Sequence, residues 1–237
     1  MTEAVATKPA ARASTSPPLA RRAAWVADLA LVLAFFTLTF LLGVFPLKDT
    51  DFWWHLRTGD LIRHTGRIPT HDWYTYSVPD HPWIDLHWGF EVALSWGYAH
   101  FGVVGLNLAK CAITCVAVGL LISARKRDWP LWVMLLAWLP ALYVLGGRMY
   151  VRPETCSLLY LATFLAVLVR IDRRPALAFL LVPVQALWVN TQGLFVFGPL
   201  LMGMALVGAA LQPEAFRAER LRWWRTLALA TFLVGLA

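Results

Sequence analysis

Residues 24–45 read AWVADLALVLAFFTLTFLLGVF and run straight into Pro46. This unbroken run decides the fold class. Its 22 residues, at about 1.5 Å each, cover the roughly 30 Å of a bilayer's hydrocarbon core. The run exceeds the short core of a cleavable signal peptide and has no small-residue cleavage site, so it reads as a retained signal-anchor helix. Asp28, the one charge within it, lies about one turn inside the basic end marked by Arg21 and Arg22 and reaches the interface there.

Further apolar blocks follow at 103–123, 129–145, 156–169, 175–189 and 193–211, and another begins near Thr226 and stops with the chain at Ala237. The expectation is an all-α polytopic bundle of about six spans plus a partial seventh, truncated at its C-terminus. Residues 24–237 form the transmembrane domain and residues 1–23, rich in Ala, Thr, Ser and Pro, a disordered cytoplasmic tail. Composition agrees: 59% of the 237 residues are hydrophobic and 15% charged, and mean hydropathy is +0.59. A soluble domain carries about 25% charged residues. The net charge of +7 does not point to nucleic acid, because the basic residues sit in short clusters between apolar blocks.

Those clusters set an orientation. With the N-terminus inside, 14 Lys and Arg fall in inside segments and 6 in outside ones. That bias places the N-terminus and residues 125–127 in the cytoplasm of a plasma (inner) membrane protein and residues 47–102 outside. Cys111 and Cys115, one helical turn apart, and Cys156 read as packing residues, not as a disulfide or metal set.

The loop of residues 47–102 holds all six His, six of the thirteen Trp and seven carboxylates. A plain connector has no use for that inventory. Two amphipathic helices are expected, over Asp51–Thr65 and about His87–His100, both lying in the membrane interface. Thr65-Gly66 has the form of a C-terminal stop, and Pro69, Pro79 and Pro82 break the stretch between the helices into turns.

Asp49 and Asp51 follow directly on the first span. On spacing alone Asp51 or Thr50 is the N-cap of the helix that follows, while a carboxylate at the rim of an apolar cavity also suits a general base or metal ligand. His55, four residues after Asp51, and His87 with Glu91, at the same spacing, admit a divalent metal, although no H-E-x-x-H motif or Cys partner accompanies them. Lys110, about 10 Å into its span, is either a snorkelling cation or a functional one. Arg148 and Arg152 read equally as interfacial anchors or as an anion clamp. Asn190 and Gln192 form either an exposed turn or a polar tip packed beneath the loop, where they would contact substrate or its phosphate.

The string Asp49-Thr50-Asp51-Phe52-Trp53-Trp54-His55-Leu56, then Gly66-Arg67-Ile68-Pro69-Thr70-His71-Asp72, then Trp83 and His87-Trp88, resembles the first periplasmic loop of GT-C-type membrane glycosyltransferases. It is most similar to a bacterial group with a D-x-D-x-W-W-H-L loop. Arg152-Pro153-Glu154 and Asn190-Thr191-Gln192-Gly193 resemble that group's R-P-Q and N-x-H-G segments, with Glu154 and Gln192 standing where Gln and His are usual. The resemblance runs from about Leu41 to Gly193. It implies a GT-C-like fold and a polyprenyl-phosphate sugar donor, with Asp49 or Asp51 as the base acting on an extracytoplasmic acceptor. Lys110, Arg148 and Arg152 would then face the departing phosphate, and the partners would be the bilayer and the lipid-linked donor. A non-catalytic assembly protein or degenerate enzyme fragment is the main rival. A transporter fits less well, because the ionisable residues crowd at one surface.

Overall fold

A computed structural model describes residues 18–78, 80–124, 129–211 and 221–236. Its regular structure is all helical: α1 (Pro18–Gly43), α2 (Asp51–Thr65), α3 (Trp88–Ser123), α4 (Leu131–Gly146), α5 (Pro153–Leu168), α6 (Leu181–Val189), α7 (Phe197–Ala210) and α8 (Leu221–Leu236). Short 3-10 segments, Pro175–Leu180 and Gly193–Val196, lead into α6 and α7.

Among the described residues three helices, not six, are long and apolar enough to cross a membrane: Leu19–Gly43, Trp88–Ser123 and Gly193–Ala210. The expected count fails on length. α4 and α5, of 16 residues each, rise only about 24 Å at 1.5 Å per residue. The block at 175–189 divides into a 3-10 turn and a nine-residue helix. In α1 and in Gly193–Ala210 only 17% of the apolar window is buried by protein, which leaves two apolar surfaces for lipid. Residues 18–23 of the expected tail belong to α1, while residues 1–17, Pro79 and the basic cluster 125–127 lie outside the described residues.

α3 is the spine. It packs against α1, α2 and α5, and it turns at Gly102, whose φ of 60° and ψ of −166° suit a residue without Cβ. Trp88–Phe101 is thus a separate limb from the span that follows. α2 lies on that limb over a small core of Phe52, Leu56, Phe90, Leu94 and Val151. α2 ends where its sequence says it should: Gly66 sits at φ 67° and its N–H donates to the Ile62 carbonyl at 2.8 Å, a left-handed C-terminal stop. A second core joins α1, α3 and α4 around Phe35, Val118 and Leu142. A third joins α5 to α8 around Phe164, Leu181, Trp188 and Met202.

Candidate functional site

The segment after α1 carries its acids directly onto the start of α5. Arg152 closes a bidentate pair on Asp49 through Nε and Nη2, and Nη2 lies 2.9 Å from Asp51 Oδ2. Pro153 begins α5 with its fixed φ, so the Arg152 side chain leaves from a defined helix start. Asp49 also accepts the Asp51 N–H at 3.2 Å, and Thr50, the residue before α2, gives no side-chain cap. The cap expected of Asp51 or Thr50 thus falls to Asp49. The Arg152 guanidinium, and to a lesser degree the Asp51 N–H, hold the Asp49 carboxyl below its usual range, and the same pairing raises Arg152.

The two acids differ in access. The Asp49 side chain is 1% exposed and that of Asp51 is 47% exposed. Asp49 is therefore enclosed against the arginine, and Asp51 is the carboxylate open to solvent.

Lys110 comes to the same end of the molecule. Its Nζ stands 4.0 Å over the Phe45 ring, and Arg152 stands 5.5 Å over the Tyr150 ring. Phe45 and Tyr150 form an edge-to-face pair with centroids 5.5 Å apart, so two cations flank one aromatic pair. Both cations line a groove of about 310 Å³ between the two limbs of α3 and the start of α5. Its walls are otherwise apolar or nearly so, with Phe90, Leu94, Trp96, Phe101 and Leu106 among them. Arg148 is exposed and lies outside this groove.

No family model, curated protein or solved structure matches the chain. The geometry must carry the chemistry.

A buried polar layer locks α2 to the first limb of α3. His55 Nδ1 lies 2.8 Å from Glu91 Oε1, with the two residues 4% and 0% exposed. Burial first, and then the neighbouring His87 imidazole, push the His55 pKa down to about 3. We take the pair as neutral, since burying an ion pair costs more than it returns without further partners. Among the described residues, Glu91 Oε2 and Asp85 Oδ2 are both buried without a hydrogen-bond partner. Asp85 Oδ1 accepts the His87 N–H at 2.9 Å. The His55 and His87 rings stand 5.4 Å apart. Among the described residues no three His, Cys, Asp or Glu side chains converge as a metal set. His55 turns to Glu91 instead of pairing with Asp51 as a ligand.

Asn190 and Gln192 belong to the polar tip between α6 and α7, and that tip packs beneath the loop. Asn190 Oδ1 accepts from Trp88 Nε1 at 3.0 Å, and its backbone carbonyl accepts the Gly89 N–H at 2.8 Å. Gln192, 7% exposed, accepts the Leu194 N–H. Both residues shape the start of α3 and α7 and stand outside the groove lining. Glu154 is exposed in the first turn of α5, where a carboxylate favours the helix N-terminus.

Sequence reasoning missed Asp85 and the groove wall. The Asp85 signal was weak, one acid among seven in the loop. The groove depends on how the two limbs that meet at Gly102 approach α5; the boundary at 102 is readable, but no local pattern announces that approach.

Proposed function

We propose that the chain is a GT-C-like membrane glycosyltransferase, whole or in part, that takes its sugar from a polyprenyl-phosphate donor. One observation carries this reading: an apolar groove with Lys110 and Arg152 in its wall and Asp51 on the far side of Arg152. A lipid-phosphate sugar has this character, an apolar tail joined to an anion. The groove receives the isoprenoid, the two cations face the phosphate, and the sugar's anomeric carbon comes to lie near Asp51.

The chemistry balances on these groups. An acceptor hydroxyl oxygen attacks the anomeric carbon, and the bond from that carbon to the phosphate oxygen breaks. The phosphate leaves with the bonding pair, its charge met by Lys110 and Arg152. Asp51 takes the hydroxyl proton. Asp49 acts through Arg152 and is a positioning residue. The resemblance noted above supports the same assignment, and the orientation by positive charge puts the site on the extracytoplasmic face.

The test is transfer of a labelled sugar from a polyprenyl-phosphate donor in membranes holding the full-length protein. Asp51→Asn keeps the side chain's size and much of its hydrogen bonding, so the expected result is folded protein with turnover reduced by about 10²-fold or more. Unchanged turnover in this variant defeats the assignment of the base.

A further inference from the structure

Between α2 and the start of α3 the chain closes into a small clip. The Asp72 N–H donates to the His81 carbonyl and the Trp83 N–H to the Thr70 carbonyl, both at 2.8 Å, around a bridge of His71 and Pro82. Asp72 Oδ1 accepts the N–H groups of Tyr74 at 2.8 Å and Thr75 at 3.2 Å. The Tyr74 hydroxyl then reaches Thr58 Oγ1 on α2 at 2.7 Å, which pins the clip to the helix.

This frame holds three large rings open to solvent: Trp73 is 61% exposed, Tyr74 53% and Trp83 40%. Rings fixed in place yet left uncovered gain little for folding. They line a cleft floored by Trp54, Thr58 and Leu61 of α2. The ring-lined cleft is itself narrow, about 20 Å³. Across Pro69, His71 and Trp73 it opens into a recess of about 490 Å³ that adds Thr65, Arg67 and Thr70. That volume lies within the roughly 300–1,000 Å³ of small-molecule sites.

Aromatic faces beside hydroxyl, imidazole, carboxylate and guanidinium groups suit one ligand chemistry. A hexopyranose offers a flat face of C–H bonds to a ring and a rim of hydroxyls to the polar groups. A lipid tail has no use for Arg67, Asp72 and the threonines, and a simple anion has no use for the rings. Position agrees. Asp51, Trp54, Thr58 and Leu61 are spaced three, four and three residues apart, one stripe along α2. Asp51 therefore stands at the end of the cleft floor, about 4.5 Å of helix rise from Trp54, with the cation-lined groove beyond it.

We infer that the recess opening from the cleft between α2 and the Thr70–Trp83 clip binds a saccharide built of hexopyranose units. Its role as the acceptor in transfer rests on the function proposed above; binding itself does not.

The experiment measures binding of cellobiose and of N,N′-diacetylchitobiose to the purified full chain in detergent, by calorimetry and by ligand-observed NMR. The expected result is saturable binding of at least one of them with Kd on the order of 1 mM. Trp73→Ala and Trp83→Ala each weaken it about tenfold, and Trp132→Ala on α4 leaves it unchanged. Because free disaccharide needs no donor, binding without any transfer refutes the catalytic reading and leaves the recess assignment standing. Absence of binding by both sugars, or binding indifferent to Trp73 and Trp83, overturns the inference. So does a spin label at position 73 that lipid-soluble oxygen relaxes more than a water-soluble nickel chelate, for the rings would then be a bilayer anchor.

Discussion

Asp49 and Arg152 are the pair on which the site's geometry turns. Asp49→Asn removes the charge that Arg152 grips, and the arginine, about one-third exposed, then finds part of its hydration in water. We expect a loss of about 1–3 kcal/mol in stability, less than for a fully enclosed pair, together with lower turnover. Chemical denaturation in detergent reads the first and the transfer assay the second. Asp51→Asn, by contrast, lowers turnover with little effect on stability. The sequence could place both acids at the head of α2, since their distance from the first span fixes their height. It could not divide their roles, because that depends on an arginine 103 residues away.

His55 gives a pH signature. Burial lowers its pKa to about 3 from roughly 6.5 in the unfolded chain. Between those values the unfolded state binds the proton that the folded state refuses. The stability contribution is complete above about pH 6.5 and falls as pH drops toward 3. The Asp49 shift has the same sign: its folded pKa is depressed, so its contribution is present above the unfolded value near 3.8 and is lost in more acid solution. The buried Glu91 carboxyl, raised to about 10 by burial, shifts stability the opposite way over this range. The His55 contribution is therefore read as a difference: relative to His55→Asn, the parent's melting temperature should fall by several degrees between pH 7 and pH 4.5. A fall of equal size in the variant would mean that His55 is not the group responsible.

At the scale of elements, the fit of α2 on the first limb of α3 is the tightest joint in the site. A Cβ on Gly59 would stand 2.0 Å from the Glu91 carbonyl oxygen, so Gly59→Ala must push the two helices apart. We expect a cost of about 1–3 kcal/mol or more and loss of the His55–Glu91 contact, read by thermal unfolding and by His NMR shifts. Gly66→Ala meets no neighbour within 4 Å, and its cost of about 1 kcal/mol comes from the left-handed φ alone. α2 was legible from its apolar spacing and its Thr65-Gly66 stop, and its bounds match the structure at both ends. The break between the loop helix and the next span was legible at Gly102. The spans beyond were less so. Apolar blocks mark helices, but hydrophobicity does not say whether a helix crosses a bilayer or packs as a short element against its neighbours. Pro175 and the tip at Asn190 confine α6 to nine residues, while the turn from Gly193 carries α7 to spanning length.

For the whole molecule, the orientation we propose rests on basic clusters that largely fall in the connections between helices. With the three native cysteines replaced, a cysteine at Tyr76, 96% exposed at the loop's tip, should react with an impermeant thiol reagent in intact cells. Protection until lysis would reverse the topology. Architecture and function meet in the groove, because the reading requires a lipid phosphate to enter between the limbs of α3. A photo-crosslinking residue at Ala109, which is exposed and lines the groove, tests this most directly in native membranes with a labelled polyprenyl-phosphate sugar. The account predicts capture of the lipid at 109 that unlabelled polyprenyl phosphate competes away and that Lys110→Gln reduces about tenfold, with none at Leu33 on the apolar face of α1. Equal labelling at both positions, or none at 109, would contradict it.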